Sequence, residues 1–153
     1  MNSLTTLELN KILYENSVTK RFFVGTYPAC VLPKTKKTFY SFITNTQTHD
    51  ESGEHWNVWI VAGNRLTFFD SFGRDSKDST LPQHYRDFTR QFKNIKHVNN
   101  RVQGWNSKAC GYFCVHFIYL MSIGLGVKIF INEYSKDFEK NDDVVYDFVS
   151  SII

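Results

Sequence analysis

Cysteine and proline are scarce in this chain, at three each in 153 residues, and long uncharged apolar runs are absent. Three cysteines make no disulfide framework, and two of them, Cys110 and Cys114, stand four residues apart in one apolar stretch, which points to a reducing compartment. No apolar run reaches the ~20 residues that span a bilayer. The amino-terminal stretch carries Glu8 and Lys11 inside a helical pattern and does not read as a signal peptide. The expectation is a soluble protein, intracellular at synthesis, not secreted and not membrane-bound. Charge of one sign is also short: 18 Lys and Arg against 15 Asp and Glu give a net +3, too modest for a nucleic-acid signature. Two basic clusters, Lys34, Lys36 and Lys37 in one segment and Arg86, Arg90, Lys93 and Lys96 in another, read first as solvated faces. There are no repeats, linkers or low-complexity segments, so one domain over 1–153 is expected, long enough to bury roughly 70% of its unfolded surface. Aromatics are plentiful, at 16% with 14 Phe, and they supply the core.

Within that frame one stretch stands out, Gln103-Gly104-Trp105-Asn106-Ser107-Lys108-Ala109-Cys110-Gly111-Tyr112-Phe113-Cys114. It places a cysteine at the start of an apolar helix, predicted from Ala109 to about Met121, with a glutamine seven positions upstream. A helix start favours thiolate, because unsatisfied N–H groups and the positive end of the dipole converge there. Gly111, directly behind, lets a substrate backbone approach without meeting a Cβ.

A base and an orienting group come from a predicted hairpin. His55-Trp56-Asn57-Val58-Trp59-Ile60-Val61-Ala62 and Arg65-Leu66-Thr67-Phe68-Phe69-Asp70-Ser71-Phe72 are rich in aromatic and β-branched residues, and Gly63-Asn64 between them suits a two-residue II′ turn. Ala62 then faces Arg65 and Asn57 faces Asp70. With side chains alternating, His55, Asn57, Asp70 and Phe72 share one sheet face, and His55 and Asp70 are diagonal neighbours roughly 7 Å apart at Cα. One extra loop residue would flip the parity. The same face carries Trp59, Val61, Leu66 and Phe68, a strip expected to receive the central helix. Cys110 could then pass its proton to His55 while Asp70 fixes the tautomer, and Gln103 could offer its amide N–H beside the Cys110 backbone N–H to an oxyanion. Asn57 has two open readings, an anchor for Asp70 by hydrogen bonding or a plain strand polar residue.

These residues resemble the adenain-like cysteine proteases, the adenovirus maturation protease family, and more distantly the ubiquitin-like-protein proteases of the same clan. The likeness rests on Gly53-Glu54-His55-Trp56, on Phe69-Asp70-Ser71-Phe72-Gly73, on Val102-Gln103-Gly104 and on Ser107-Lys108-Ala109-Cys110-Gly111-Tyr112-Phe113-Cys114. An amino-terminal helix leading into Phe23-Val24-Gly25-Thr26-Tyr27 is similar too, and the resemblance covers about Leu7 to Ser122. It implies Cys110 as nucleophile, His55 as general base and acid, Asp70 as the imidazole's partner and Gln103 as oxyanion donor. It also implies an α+β fold with a small mixed sheet against a central helix, and endopeptidase action on viral or virus-like-element precursor proteins at glycine-containing sites. The virion and the host nucleus or cytoplasm are its implied locations.

The family often has glutamate where this chain has Asp70, so the imidazole must sit closer or be bridged by water. Adenain is stimulated by DNA and by a capsid-derived peptide disulfide-bonded upstream of the Gln segment. No cysteine lies between Cys30 and Cys110 here, so that covalent link has no matching place, leaving DNA or a non-covalently bound peptide as the implied stimulators. No cofactor or metal is called for: Cys110, Cys114 and His116 make a poor zinc set, since positions two apart on a helix diverge and there is no CxxC. A monomer is expected. The chain also stops about 30 residues after the central helix, short of the family's tail. Alternatives to the endopeptidase are a protease for ubiquitin or ubiquitin-like modifiers using the same triad, and an inactive DNA- or capsid-binding protein on the same fold.

Elsewhere, Thr5-x-x-Glu8 reads as a capping box opening a helix to about Glu15 with Leu9, Ile12 and Leu13 inward. Residues 38–45 alternate as a strand, and 46–53 are a polar loop. Leu81-Pro82 starts a helix with Tyr85, Phe88 and Phe92 as its core face. Lys96 to Gln103 reads as a further strand, Gly124 and Gly126 end the central helix, and Asp142 caps a last helix with Val144, Val145, Phe148 and Ile152 on one stripe. Cys114 reads as packing, and His49, His84, His97 and His116 as surface or satisfied core histidines. Trp56 and Trp105 have two open readings, stacking surfaces for a substrate beside the thiol or core filling.

Overall fold

The computed structural model describes residues 2–47 and 55–153. His49, the Gly53-Glu54 half of the histidine motif and most of the predicted polar loop lie outside the described residues. In order, the elements are α1 (Thr6–Glu15), β1 (Phe23–Tyr27), β2 (Phe39–Asn45), β3 (Trp56–Ala62), β4 (Arg65–Phe69), α2 (Gln83–Thr89), β5 (Asn94–Val98), α3 (Cys110–Ser122), α4 (Gly126–Asn132) and α5 (Phe138–Ile152). α1 opens with the reciprocal capping box read from sequence: the Thr5 hydroxyl accepts from the Glu8 N–H, and the Glu8 carboxylate accepts from the Thr5 N–H. Its apolar side, Leu9, Ile12 and Leu13, is buried.

The five strands form one mixed sheet in the order β1-β2-β3-β4-β5. The outer pairs, β1 with β2 and β4 with β5, are parallel, and the inner pairs are antiparallel. The β3–β4 hairpin has the expected register, with Ala62 opposite Arg65 and Val58 opposite Phe69. Gly63 takes φ +61° while no non-glycine residue has positive φ among the described residues, which is the II′ pattern.

α3 does not lie on the face expected for it. Trp59, Val61, Leu66 and Phe68 pack with Leu81, Tyr85 and Phe88 around α2, whereas α3 packs on Val58, Ile60, Phe69 and Val98 of the opposite face. The reason is that β3 is buried from Asn57 through Val61 without a break, so both faces are apolar and alternation alone does not say which layer each face meets. α3 is correspondingly apolar all round, with ten buried residues, enclosed by the sheet on one side and by α1, α4 and α5 on others. Phe69 stacks on Phe117 at 4.7 Å in this layer, and Phe42 on Trp59 at 6.0 Å in the other. Each such fully buried side chain contributes about 1.5–3 kcal/mol.

Two further boundaries differ from expectation. The last strand, β5, covers 94–98 rather than 96–103, because the Val102 and Gln103 N–H groups turn away to the Ser71 carbonyl at 2.9 and 3.1 Å. α5 starts after Asp137, whose carboxylate accepts from the Lys140 N–H, so Asp142 lies inside the helix rather than capping it. Asn141 ties the first turn of α5 to the preceding loops. Buried in the first turn, it donates to the Val102 and Ser135 carbonyls at 2.9 and 2.8 Å and accepts from the Ser135 N–H at 2.9 Å.

Candidate active site

His55 sits one residue before β3 and Asp70 one residue after β4, so the hairpin delivers both to the same end of the sheet. The imidazole Nε2 lies 2.6 Å from Asp70 Oδ1, a direct contact that needs no bridging water despite the short aspartate. Asp70 is fully buried and His55 is 6% exposed. Cys110 is the first residue of α3, where no side chain caps the helix and the leading N–H groups stay open. Its side chain lines the same cleft as His55 and contributes to the raised His55 pKa, and with Nε2 given to Asp70 the imidazole nitrogen left for sulfur is Nδ1. His55, Asp70 and Cys110 all lie beyond or at the tips of their elements, which is why His55 and Cys110 line one cleft although α3 covers the other sheet face.

Burial pushes the His55 pKa down, but the Asp70 hydrogen bond and the Cys110 thiol outweigh it, and the pKa is raised to about 9. Asp70 follows the converse logic: burial opposes its charge, while His55 and then Arg74 hold the carboxyl below its usual range. The Arg74 Nε donates to Asp70 Oδ2 at 2.6 Å and its backbone N–H to the same oxygen at 3.2 Å. Asn57 is not the anchor for Asp70. Its Oδ1 accepts from the Tyr85 hydroxyl at 2.9 Å, in a buried chain in which Trp59 donates to Thr44 and Thr44 to Tyr85.

Gln103 is buried and lines the same cleft as Cys110. Its Oε1 accepts from the Ser71 hydroxyl, and its Nε2 donates to the Ser107 carbonyl at 2.9 Å. These two bonds fix which end of the amide is nitrogen and leave one of its hydrogens unspent among the described residues. Arg101 braces the loop: its Nε donates to the Gln103 carbonyl at 2.9 Å, and its guanidinium lies between the rings of Trp105 (3.7 Å) and Phe138 (4.1 Å).

His55, Gln103 and Cys110 line one cleft of about 330 Å³ together with Ser3, Thr46, Phe72, Arg74, Thr80, Trp105, Ser107 and Lys108. Phe72 stacks on His55 at 4.5 Å and meets Trp105, 64% exposed, at 4.9 Å. Trp105 therefore stands at the cleft, and Trp56 does not: its Nε1 donates to the Leu4 carbonyl at 3.1 Å and its ring packs on the core. Gly111 likewise turns away from the cleft, since a Cβ there would meet Leu4 Cβ at 3.0 Å. The small residue admits the amino-terminal segment against α3, not a substrate.

Cys114 is buried, with its thiol on the Trp56 carbonyl at 3.4 Å, and desolvation raises its pKa. His116 bonds the Tyr134 hydroxyl, and burial lowers its pKa to about 4. Among the described residues no cluster of His, Cys, Asp or Glu could hold a metal ion, and no helix is long and apolar enough to cross a membrane. Sequence reasoning gave no role to Ser71, Arg74 or Lys108. For Arg74 a signal existed in its four-residue spacing from Asp70, a spacing read as a pair only on helices, whereas here a turn closed by Gly73 N–H on the Asp70 carbonyl at 2.8 Å brings them together.

A mixed sheet against a central helix that begins with the cysteine, with histidine and aspartate at the sheet's end, defines a class: the α+β fold of adenain-like and ubiquitin-like-protease-type cysteine proteases. Among known proteins, the chain is 33% identical over 88 residues to the "Protease" of Bovine adenovirus 2, a match spanning 50% of this chain and 43% of that protein. It thus covers less than half the length of that curated relative. Among solved structures, the ASFV pS273R protease matches with TM-score 0.67 and 14% identity over 99% of this chain and 67% of the other. ChlaDub1 from Chlamydia trachomatis matches with TM-score 0.54 and 15% identity over 77% and 60%. No protein-family model matches the chain. The resemblance and the fold class read from sequence both hold in these likenesses.

Proposed function

We propose that this chain is a cysteine endopeptidase using Cys110, His55 and Asp70, with Gln103 in its oxyanion hole. The observation that carries the reading is the His55 imidazole bonded to the buried Asp70 carboxylate at 2.6 Å, with Cys110 lining the same cleft at an uncapped helix start. His55 takes the thiol proton at Nδ1, and the thiolate attacks the peptide carbonyl carbon. The charge that develops on the carbonyl oxygen meets the unspent Gln103 N–H and the Cys110 backbone N–H. Nδ1–H then protonates the departing amine, leaving a thioester on Cys110, and a water deprotonated by His55 hydrolyses it. Asp70 holds the ring in register through both half-reactions.

The substrates under this reading are precursor proteins of a virus or virus-like element, cleaved in the virion, host nucleus or cytoplasm, with glycine beside the scissile bond. A cleft walled by Phe72 and Trp105 on one flank supports small residues there. DNA stimulation has weaker support: Arg86 is committed to the Asp78 and Leu81 carbonyls and Arg90 to Asp87, which thins one of the two basic clusters.

The test is alkylation of Cys110 by iodoacetamide across pH, with a panel of glycine-containing peptides assayed in parallel. Wild type should alkylate well below the free-thiol pKa of about 8.5 and cleave at least one peptide, His55→Ala should shift the alkylation profile upward, and Cys110→Ala should do neither. An unactivated thiol in wild type would end the proposal. Rapid labelling by a modifier probe ending in Gly-Gly, without peptide cleavage, would transfer the reading to a ubiquitin-like-modifier protease.

A further inference from the structure

The segment ahead of α1 reaches the catalytic cleft and is pinned on its way there. Leu4 is 6% exposed and belongs to the α3 core layer. It fills the notch that Gly111 leaves, where a Cβ would stand 3.0 Å from Leu4 Cβ and 3.4 Å from its Cδ1. The Leu4 carbonyl accepts from Trp56 Nε1 at 3.1 Å, and the Thr5 N–H that follows is given to the Glu8 carboxylate at 3.3 Å. Gly111 directly follows Cys110 and Trp56 directly follows His55, so the two anchors of Leu4 are chain neighbours of the two reacting residues. Ser3, one residue further out and exposed, lines the cleft with both of them.

We propose that Ser3 is a specificity-determining residue: held in place by Leu4, the segment ahead of α1 forms a wall of the cleft, and the bulk at position 3 limits the size of the substrate side chain that can lie beside Cys110. This rests on the endopeptidase reading and names the part of the chain that sets how wide a substrate can be. One trans peptide step of ~3.8 Å separates the Cα of Ser3 from that of Leu4, too short a tether for the position-3 side chain to leave the cleft while Leu4 stays in its notch. Serine keeps that wall low. A larger side chain there excludes by overlap, which rejects bulky ligands more strongly than small ones.

The first arm needs no proteolysis. Iodoacetamide and its N-phenyl derivative share one reactive carbon and differ in bulk, so the ratio of their rates at Cys110, followed by mass spectrometry of the peptide that carries it, reports the room for approach to sulfur. Ser3→Phe, at an exposed position outside the core, should raise the small-to-large ratio about fivefold over wild type, and Ser3→Gly should not raise it. Leu4→Ala and Gly111→Ala each loosen the segment from its notch, and in either background, with folding checked by circular dichroism, Ser3→Phe should lose its effect. The second arm compares peptides with Gly or Leu at each position near the cleaved bond. At one position Ser3→Phe should lower kcat/KM about fivefold more for the Leu peptide than for its Gly counterpart, chiefly through KM. A rate ratio equal in wild type and Ser3→Phe overturns the proposal, as does an effect of Ser3→Phe that survives intact in a folded protein with Leu4 loosened. A ratio that shifts as expected while wild type cleaves no peptide overturns the endopeptidase reading instead.

Discussion

At Asp70 the two carboxylate oxygens serve different masters, Oδ1 the imidazole and Oδ2 the guanidinium of Arg74. Asp70→Asn keeps the shape but offers the ring a weaker or wrongly polarised partner, and kcat should fall on the order of 10²-fold. The same pair sets a pH window for stability. His55 rises from 6.5 to about 9 on folding, so its contribution is complete below 6.5 and drains away as pH climbs through about 9. Asp70 is lowered, so its contribution is complete above its unfolded pKa and is lost as pH falls through the folded one. Melting temperature should therefore plateau between those limits, and Asp70→Asn should bring the alkaline decline to lower pH. An unmoved alkaline limb in thermal melts of the variant would sink the pairing. Under the proposed mechanism, Gln103→Ala should cost roughly 10²–10³ in kcat with little change in KM. Ser71→Ala, which only frees the Gln103 carbonyl to turn, should cost less in the same steady-state assay.

At the scale of elements, the site is assembled from loop ends that must be held against one another. Gly73 follows the Asp70 turn at φ +82°, and a Cβ there would meet Arg101 N and Asn99 O at 3.0 Å. Backbone atoms give way poorly, so Gly73→Ala should destabilise by about 1–3 kcal/mol and spread the loops that bear Asp70 and Gln103. Chemical denaturation would show the first and a drop in kcat the second; full stability would contradict the packing. Asn141 acts similarly from α5. Replacing it by Ala leaves the buried Val102 carbonyl without its donor, at about 1–3 kcal/mol in the same unfolding measurement. The capping box, the hairpin register and the start of α3 were all legible from sequence because each rests on neighbours a few residues apart. The cap of α5 was not: the sequence points to Asp142, whereas the helix opens at Asp137, an aspartate equally suited to the role, in a turn that Asn141 ties to the distant Val102 carbonyl.

Across the whole molecule, two apolar layers flank one sheet, with α3 on one face and α2 on the other. Trp59→Ala would empty the centre of the α2 layer, where the ring touches Phe42, Phe68, Tyr85 and Phe88, and should cost about 3–5 kcal/mol in equilibrium unfolding. Because the α2 layer lies on the far side of the sheet from the Cys110 helix, alkylation of the surviving folded fraction should change far less than stability. Equal losses of both would mean that the layers are not separate.

The sequence by itself determined the hairpin parity and the cysteine at a helix start, because turn length, side-chain alternation and capping are local rules. Only the tertiary structure decided which sheet face receives α3, that Gly111 and Trp56 serve the Leu4 segment rather than the cleft, and that Arg74 and Ser71 orient Asp70 and Gln103. The physical reason is that a strand apolar on both sides carries no mark of which layer will cover it. Contacts between loops far apart in the chain leave no period in the sequence to read.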